Sequence, residues 1–401
     1  MRILQISNKA PYPPNDGSSI AVYNMAKGFI NNGSELHLLT INTKKHYKET
    51  KNIPEDFLKQ SHYTALYKDT DVTALGALIN LFSNQSFFIS RFIFKNFENK
   101  IIEKLKATTF DIIHLDGLFV APYIPTIRKY STAKIVIRTH NLEHLIWDRL
   151  ISNEKNFFKK KYLSLQNKRL KKTELYLLNE ADAIVSITEY DKQLFNKLHI
   201  TTKCFVSPTG ILLDRYIMDT SKTKTNHVFH LASMDWMPNT EAVDWFLKRV
   251  WEPYLKNNSN LKFTLAGRFM PDSYLQLSSA NLKVIGAIDD NIEFYNEQEI
   301  MLVPLQSGSG MRIKIIEGMA MGKIIVSTSI GAEGISVTHK ENIILADTPE
   351  EFANAINELS INHQLKNKIS TNARKFIEEQ FENTKLIREL LLFYEELIKN
   401  K

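Results

Sequence analysis

Cysteine is almost missing from this chain of 401 residues: Cys204 stands alone. A single thiol excludes an internal disulfide, so burial and hydrogen bonding must hold the fold, and a reducing, cytoplasmic setting is expected. Long apolar runs are missing as well. The most apolar stretch, 75–94, is broken by Asn80, Ser83, Asn84, Gln85, Ser86 and Arg91, which excludes a membrane-spanning helix there. The opening MRILQISNKAPYPP reads as a strand and a loop, without the apolar segment of a secretory leader. No G-x-G-x-x-G is present, so a dinucleotide cofactor is not indicated. Low-complexity tracts, repeats of solenoid period and base-reading motifs are also lacking, and nucleic acid is not an expected partner.

Acid is in deficit, with 44 Asp and Glu against 51 Lys and Arg, a net charge of +7. The excess is local. Between Asp148 and Lys172 nine Lys and Arg meet two acids, a surplus as large as that of the whole chain. Such a stripe attracts nucleic acid, anionic lipid or acidic substrates. Two readings stay open: the solvated face of a long helix, and a peripheral contact with anionic headgroups on the inner face of a membrane. Phe87, Phe88, Phe92, Phe94 and Phe97, interleaved with Arg91, Lys95 and Lys100, carry a similar pair of readings. They are helix-to-helix packing or an amphipathic surface.

What is present is alternation. Nearly continuous apolar runs at 3–7, 35–41, 111–115, 134–139 and 183–187 read as buried parallel strands, separated by helical segments. The first helix is expected at 18–31, closed by Gly33. The polar stretch 211–226 has no clear period and reads as a linker. Alternation then restarts, with strands near 227–231, 263–266, 283–285, 301–303, 324–326 and 343–345. The length favours two domains, and the pattern predicts an α/β protein of two Rossmann-like, doubly wound domains facing one another across a cleft. The expected boundaries are 1–210, a linker at 211–226, and 227–382. A last helix near 383–401 is expected to pack back on the first domain.

The densest chemistry lies at 307–334, SGSGMRIKIIEGMAMGKIIVSTSIGAEG. A glycine-spaced loop leads into a helix expected at 311–321, with Arg312 and Lys314 in its first turns and Glu317 one turn on. Free N–H groups at a helix start, with the helix dipole, attract phosphate, and glycines let a ligand approach the backbone. At ~100° per residue Lys314 and Glu317 share a face with Met311, Gly318 and Met321. A surface ion pair between Lys314 and Glu317 is the plainer reading. It leaves the apolar surroundings and the glycine loop unexplained. Diphosphate held by backbone N–H groups, Arg312 and Lys314, with a sugar diol on Glu317, accounts for both.

The block G-S-G-x-R-x-K-I-x-E-x-M-A-x-G-K resembles the donor-site signature of the GT-B glycosyltransferases of family 4. Ser207-Pro208-Thr209-Gly210-Ile211 with Asp214 is similar to the family's P-N-G-(V/I)-D, with Thr209 in place of Asn. The loops 233–239 and 265–268 and the strand 182–188 resemble further parts of it. The resemblance implies retaining transfer of a sugar from a nucleotide-sugar to a glycan or lipid-linked acceptor of bacterial cell-surface polysaccharide synthesis. It implies no cofactor and no required metal. It places Gly308, Ser309, Gly310, Met311, Arg312, Lys314, Glu317, Gly17 and Arg268 around the donor, and Gly17, Ser18, Asn141 and Glu143 on the acceptor side. The catalytic assignments are His140, Arg312 and Lys314. Glu317 matches the second acid of the family's E-x7-E, and Ser309 stands where the first would be. The family's Arg and Lys pair near 233–239 is also missing, with Arg312, Lys314 and Arg268 as candidate substitutes. His114 and Asp116 end a neighbouring strand, with cleft and plain loop roles both open. A GT-B phosphorylase or epimerase, and a non-catalytic scaffold binding nucleotide-sugar or lipid, are the alternatives.

Overall fold

The computed structural model describes residues 1–14, 16–308 and 310–399. The chain divides into two compact units, Met1–Gly210 with Asn383–Lys401, and Ile211–Glu382.

The first unit is built on seven strands: β1 (Arg2–Ser7), β2 (Glu35–Thr43), β3 (Thr64–Lys68), β4 (Ile112–Asp116), β5 (Lys134–Thr139), β6 (Ala183–Ser186) and β7 (Cys204–Val206). They run parallel in the order β3-β2-β1-β4-β5-β6-β7. Helices cover both faces, which is why β4 and β6 are buried at every residue. From β1 the chain winds outward through β2 and β3, then returns to β4 on the other side of β1. Loops leaving β1 and β4 therefore diverge at their carboxyl ends, where doubly wound sheets open a crevice for ligand. Register fixes which residues meet there: Ser7 lies beside Asp116, and Asp116 beside Arg138.

The second unit repeats the plan with β8 (His227–Leu231), β9 (Lys262–Ala266), β10 (Leu282–Val284), β11 (Ile300–Val303), β12 (Ile324–Ser327) and β13 (Ile344–Leu345). The order is β10-β9-β8-β11-β12-β13, again parallel. Its divergence point lies between the loops that follow β8 and β11.

Several elements differ from the sequence expectation. Ile211 and Tyr216, in the stretch read as a linker, are buried in the core of the second unit. Periodicity failed there because one large side chain every few residues suffices to anchor an irregular segment. The short edge strand β3, exposed at Tyr67, was missed for want of apolar alternation. Three helices follow β3: Ala74–Leu81, Phe87–Ser90 and Lys95–Ala107. Phe88, Phe92 and Phe97 are buried, and Phe88 stacks on Trp147 with ring centroids 3.8 Å apart, so these rings pack between helices.

The Asn383–Lys399 helix packs in the first unit against the Gly17–Asn31 helix. Gly28 permits the approach, since a Cβ there would lie 2.3 Å from Ile387. Asn383 Nδ2 donates to the Asn24 carbonyl at 2.8 Å, and Asn24 Nδ2 donates to that of Gly210 at 2.8 Å. Among the described residues no helix is long and apolar enough to cross a membrane.

Candidate functional site

In the second unit, the β11 loop turns at Gly308, whose φ of +115° is a left-handed conformation that favours glycine. Glycine is also required for space, because a Cβ would come within 2.8 Å of the Arg312 guanidinium and 3.1 Å of Trp236. Ser307 Oγ donates to Glu241 Oε2 at 2.5 Å, tying this loop to the helix that follows β8. The helix after the loop is Ile313–Ala320, shorter than expected, with Arg312 in extended backbone as its N-cap residue. Among the described residues no side chain caps it. Its first N–H groups consequently lack the acceptor that a helix start normally finds in a Ser, Thr, Asp or Asn.

Arg312 is buried at the mouth of this helix. Its guanidinium donates to the Gly310 carbonyl and lies over the Trp236 ring, 5.6 Å from the centroid. Lys314 Nζ donates to Asn239 Oδ1 at 3.2 Å, and Asn239 Nδ2 to the Ser233 carbonyl at 2.8 Å. Loops from β8 and β11 are thus joined by side chains where they diverge. Burial, then repulsion from Arg312, pushes the Lys314 ammonium down to about 7, against a partial offset from Glu317. Two cations held this close call for an anion.

Glu317 is 8% exposed and accepts from the Tyr216 hydroxyl at 2.8 Å. Burial raises its carboxyl, with Tyr216 opposing. Gly318 does not share a polar face with it. A Cβ at Gly318 would lie 2.8 Å from Met301 Sδ and 2.9 Å from Ile325 Cδ1, so that side of the helix rests on the sheet. Met311 is half-buried in the same loop. Arg268 follows β9 and accepts through its carbonyl from the Met234 N–H at 2.9 Å. Its half-buried side chain bonds none of the described residues. Ser309 lies outside the described residues.

The first unit presents a contrasting helix start. Asp16 caps the Gly17–Asn31 helix, its Oδ1 accepting from the N–H groups of Ser18 and Ser19 at 3.1 Å and from Lys9 Nζ at 2.7 Å. Burial would raise that carboxyl, but Lys9 and the backbone donors outweigh it and hold it low. The N–H of Ser18, placed on the acceptor side by sequence, is thus taken by Asp16.

A second cluster lies at the ends of β4 and β5. His140 Nε2 is 2.7 Å from Asp116 Oδ1. Asp116 is fully buried, accepts from Gln5 Nε2 at 3.0 Å and has the Arg138 guanidinium 3.7 Å away. Arg138 in turn donates to Thr209 Oγ1 at 2.9 Å, which gives the departure from Asn at that position a specific partner. Burial works to raise the Asp116 carboxyl, yet His140 and Arg138 hold it well below the usual carboxylate range. His114, by contrast, is core: fully buried, 2.7 Å from the Tyr394 hydroxyl, and pushed by burial down to about 4.

Asn141 is half-buried and its side chain bonds none of the described residues. Glu143 opens the next helix, its N–H donating to Glu174 Oε1 at 2.8 Å, while burial and then Glu174 push its carboxyl up to about 8. The partners that sequence reasoning did not assign are Asp16, Asp116 as the acceptor for His140, Tyr216 on Glu317, and Asn239 on Lys314. For Asp116 a signal was available, an acid ending a strand beside the strand that ends at His140.

Two doubly wound parallel sheets, with basic side chains at an uncapped helix start in the second, are the arrangement of the GT-B glycosyltransferases. The family model described as Glycosyltransferase Family 4 matches residues 15–215, and that described as Glycosyl transferases group 1 matches 225–362. The chain belongs to glycosyltransferase family 4. A curated relative, an uncharacterized 44.6 kDa protein in the cps region of Klebsiella pneumoniae, is 23% identical over 96% of this chain and 97% of its own length. Sucrose-phosphate synthase from Thermosynechococcus elongatus shares the fold with a TM-score of 0.71 at 13% identity, each chain covered fully. HepE of Anabaena, solved with UDP-glucose, gives 0.65 at 14%, over 99% of this chain and 100% of that one.

Proposed function

We propose that this glycosyltransferase moves a sugar, with retention, from a nucleotide-sugar to a glycan or lipid-linked acceptor in cell-surface polysaccharide synthesis. The observation that carries the donor reading is the contrast between the two helix starts. That of the first unit is filled by Asp16, whereas that of the second has no side-chain cap among the described residues and the basic Arg312 and Lys314 beside it. A diphosphate is the anion that an uncapped helix start with basic side chains beside it receives.

As the bond from the sugar's anomeric carbon to the diphosphate breaks, charge develops on the leaving oxygen. Donors fixed in advance at that position lower the barrier. Arg312 is held by Gly310 and Trp236, and Lys314 by Asn239, so neither has to reorganise during transfer. These cations take the part that a metal ion plays in other phosphate sites. Glu317, carrying the Tyr216 hydrogen bond, keeps acceptor capacity for a ribose diol. His140, oriented by Asp116, is assigned to a hydroxyl of the sugar.

The acceptor class is supported by the cps-region relative, and the nucleotide by neighbours such as HepE that were solved with UDP-glucose. Thermal unfolding in UDP, GDP and ADP tests the reading. One nucleotide should raise the melting temperature of the wild type, and Arg312→Ala should abolish the rise. Chelator should leave it in place. No shift with any nucleotide would remove the basis of the proposal.

A further inference from the structure

The helix Ala74–Leu81 is inside out. Helices of water-facing proteins bury their apolar stripe and expose the polar one. Here Asn80 is the buried residue, while Leu75, Leu78, Ile79 and the following Phe82 are exposed, Phe82 at 91%. The helix is anchored by polar bonds to its neighbour, the long helix Phe157–Glu180. Gln166 Nε2 donates to Asn80 Oδ1 at 2.9 Å, and Arg169 donates to the carbonyls of Asn80 and Leu81 at 3.0 and 3.1 Å. Such an arrangement holds apolar side chains outward at the cost of fixing an arginine, and burying them against the core would have been simpler.

The long helix continues the surface. At ~100° per residue, Phe157, Phe158, Lys161, Leu165, Lys168 and Lys172 fall within an arc of about 100°, adjoining the side on which Gln166 and Arg169 meet the short helix. All six are exposed, Phe157 and Phe158 at 69% and 81%. Lys161, Lys168, Lys171 and Lys172 have no acidic partner among the described residues. Aromatic and aliphatic side chains beside unneutralised lysines form the surface that lies at a headgroup boundary, with rings and leucines in the acyl region and ammonium groups at the phosphates.

We propose that this face, formed by residues 75–82 and the 157–172 stripe, docks the enzyme on an anionic lipid bilayer. Charge decides the occupant. A second copy of the chain would bring the same positive stripe against itself and be repelled. An anionic bilayer neutralises the lysines and accepts the apolar helix together. The docking rests on this surface alone. Its meaning for a lipid-linked acceptor rests on the transferase reading.

The test is sedimentation of the full chain with vesicles of phosphatidylcholine, alone or mixed with phosphatidylglycerol. Wild type should bind the mixed vesicles only, and less as salt rises. Each basic residue near such a surface contributes about fivefold in partitioning, so K161E/K168E/K172E should lower binding by well over tenfold. L78S/I79S/F82S should weaken binding, and F82W fluorescence should be quenched by brominated acyl chains. Equal binding to neutral vesicles, no binding by wild type, or variants that bind like wild type would overturn the proposal. So would a wild-type dimer that L78S/I79S/F82S dissolves, since the face would then belong to a protein partner. All the substituted side chains are exposed, so the variants should fold and keep the nucleotide-induced rise in melting temperature. Loss of docking and failure of the donor reading are thereby measured separately.

Discussion

Replacing Asp116 by Asn removes one charge from the interior of the first unit and nothing of its shape. The carboxylate is fully buried, with Gln5, His140 and Arg138 around it. Asn can still accept from Gln5, but Arg138, 1% exposed, is left as a buried cation with Thr209 as its one hydrogen-bond partner among the described residues. Breaking a buried pair by deleting one partner costs about 3–5 kcal/mol. For a unit of this size that corresponds to a fall of roughly 6–20 °C in melting temperature. The sign with pH follows from the depressed carboxyl. A depressed folded-state pKa contributes stability that is fully present above the unfolded value of about 4 and is lost as pH falls through the folded one. The difference between wild type and Asp116→Asn in a thermal or urea melt should thus be full at neutral pH and shrink steadily below about pH 4. Adding Arg138→Met should restore part of the loss, because the orphaned cation is gone. A penalty under about 1 kcal/mol, one that persists undiminished in acid, or a double variant worse than the single one would refute the assignment of Asp116 as the charge that holds this cluster.

Two further outcomes concern the donor half. Lys314 titrates near 7 in the free protein, and a bound diphosphate must raise that value. Binding should accordingly take up a proton above about pH 7 and weaken by up to tenfold per pH unit until the bound-state pKa is reached. Calorimetry of nucleotide binding in buffers of different ionisation heat reads both effects. A profile flat between about pH 7 and 9, or one equally steep in Lys314→Met, would contradict the contact. Gly308→Ala forces a Cβ toward Arg312 and Trp236 in a backbone conformation that alanine resists. It should lower kcat/KM by about tenfold or more, while costing only about 1–3 kcal/mol of stability. An unaffected kcat/KM would mean that the placement of Arg312 does not matter.

Much of the fold was legible because parallel strands buried on both faces are continuous apolar runs. β5 and β8 emerge at their expected bounds, and most other strands within a residue or two. Where a segment is anchored by one or two large residues, as at Ile211 and Tyr216, there is no period to read. The donor helix was found from its glycine loop and cations, yet its polar face was misjudged. Helical geometry puts Lys314, Glu317 and Gly318 close in angle, but it does not say that Gly318 is glycine so that the helix can rest on Met301 and Ile325. Hydrogen-bond partners far apart in sequence, such as Asn239 with Lys314 or Asp116 with His140, depend on which loops meet at the divergence of a sheet. That follows from strand order, which one sequence does not state.

Strand order also explains why the lysine-rich helix was ambiguous on paper. Its outward face carries Lys161, Lys168 and Lys172, which alone fit any solvated helix. Its inward face carries Glu174, fully committed elsewhere. That carboxylate accepts from the backbone N–H groups of Glu143 and His144 at 2.8 and 3.1 Å and lies 2.5 Å from His144 Nδ1. It thereby caps the helix that begins just after His140, and its charge adds to the burial that raises the Glu143 carboxyl. Asn167, two turns earlier, donates to the His144 carbonyl at 3.0 Å and to Asp148 at 2.7 Å. One helix therefore joins the exposed lysines to the segment assigned to the acceptor side. Through these hydrogen bonds the proposed docking surface and residues 143–148 are tied together within one unit. On the proposed reading, an acceptor presented from a bilayer would reach Asn141 and Glu143 beside this tie.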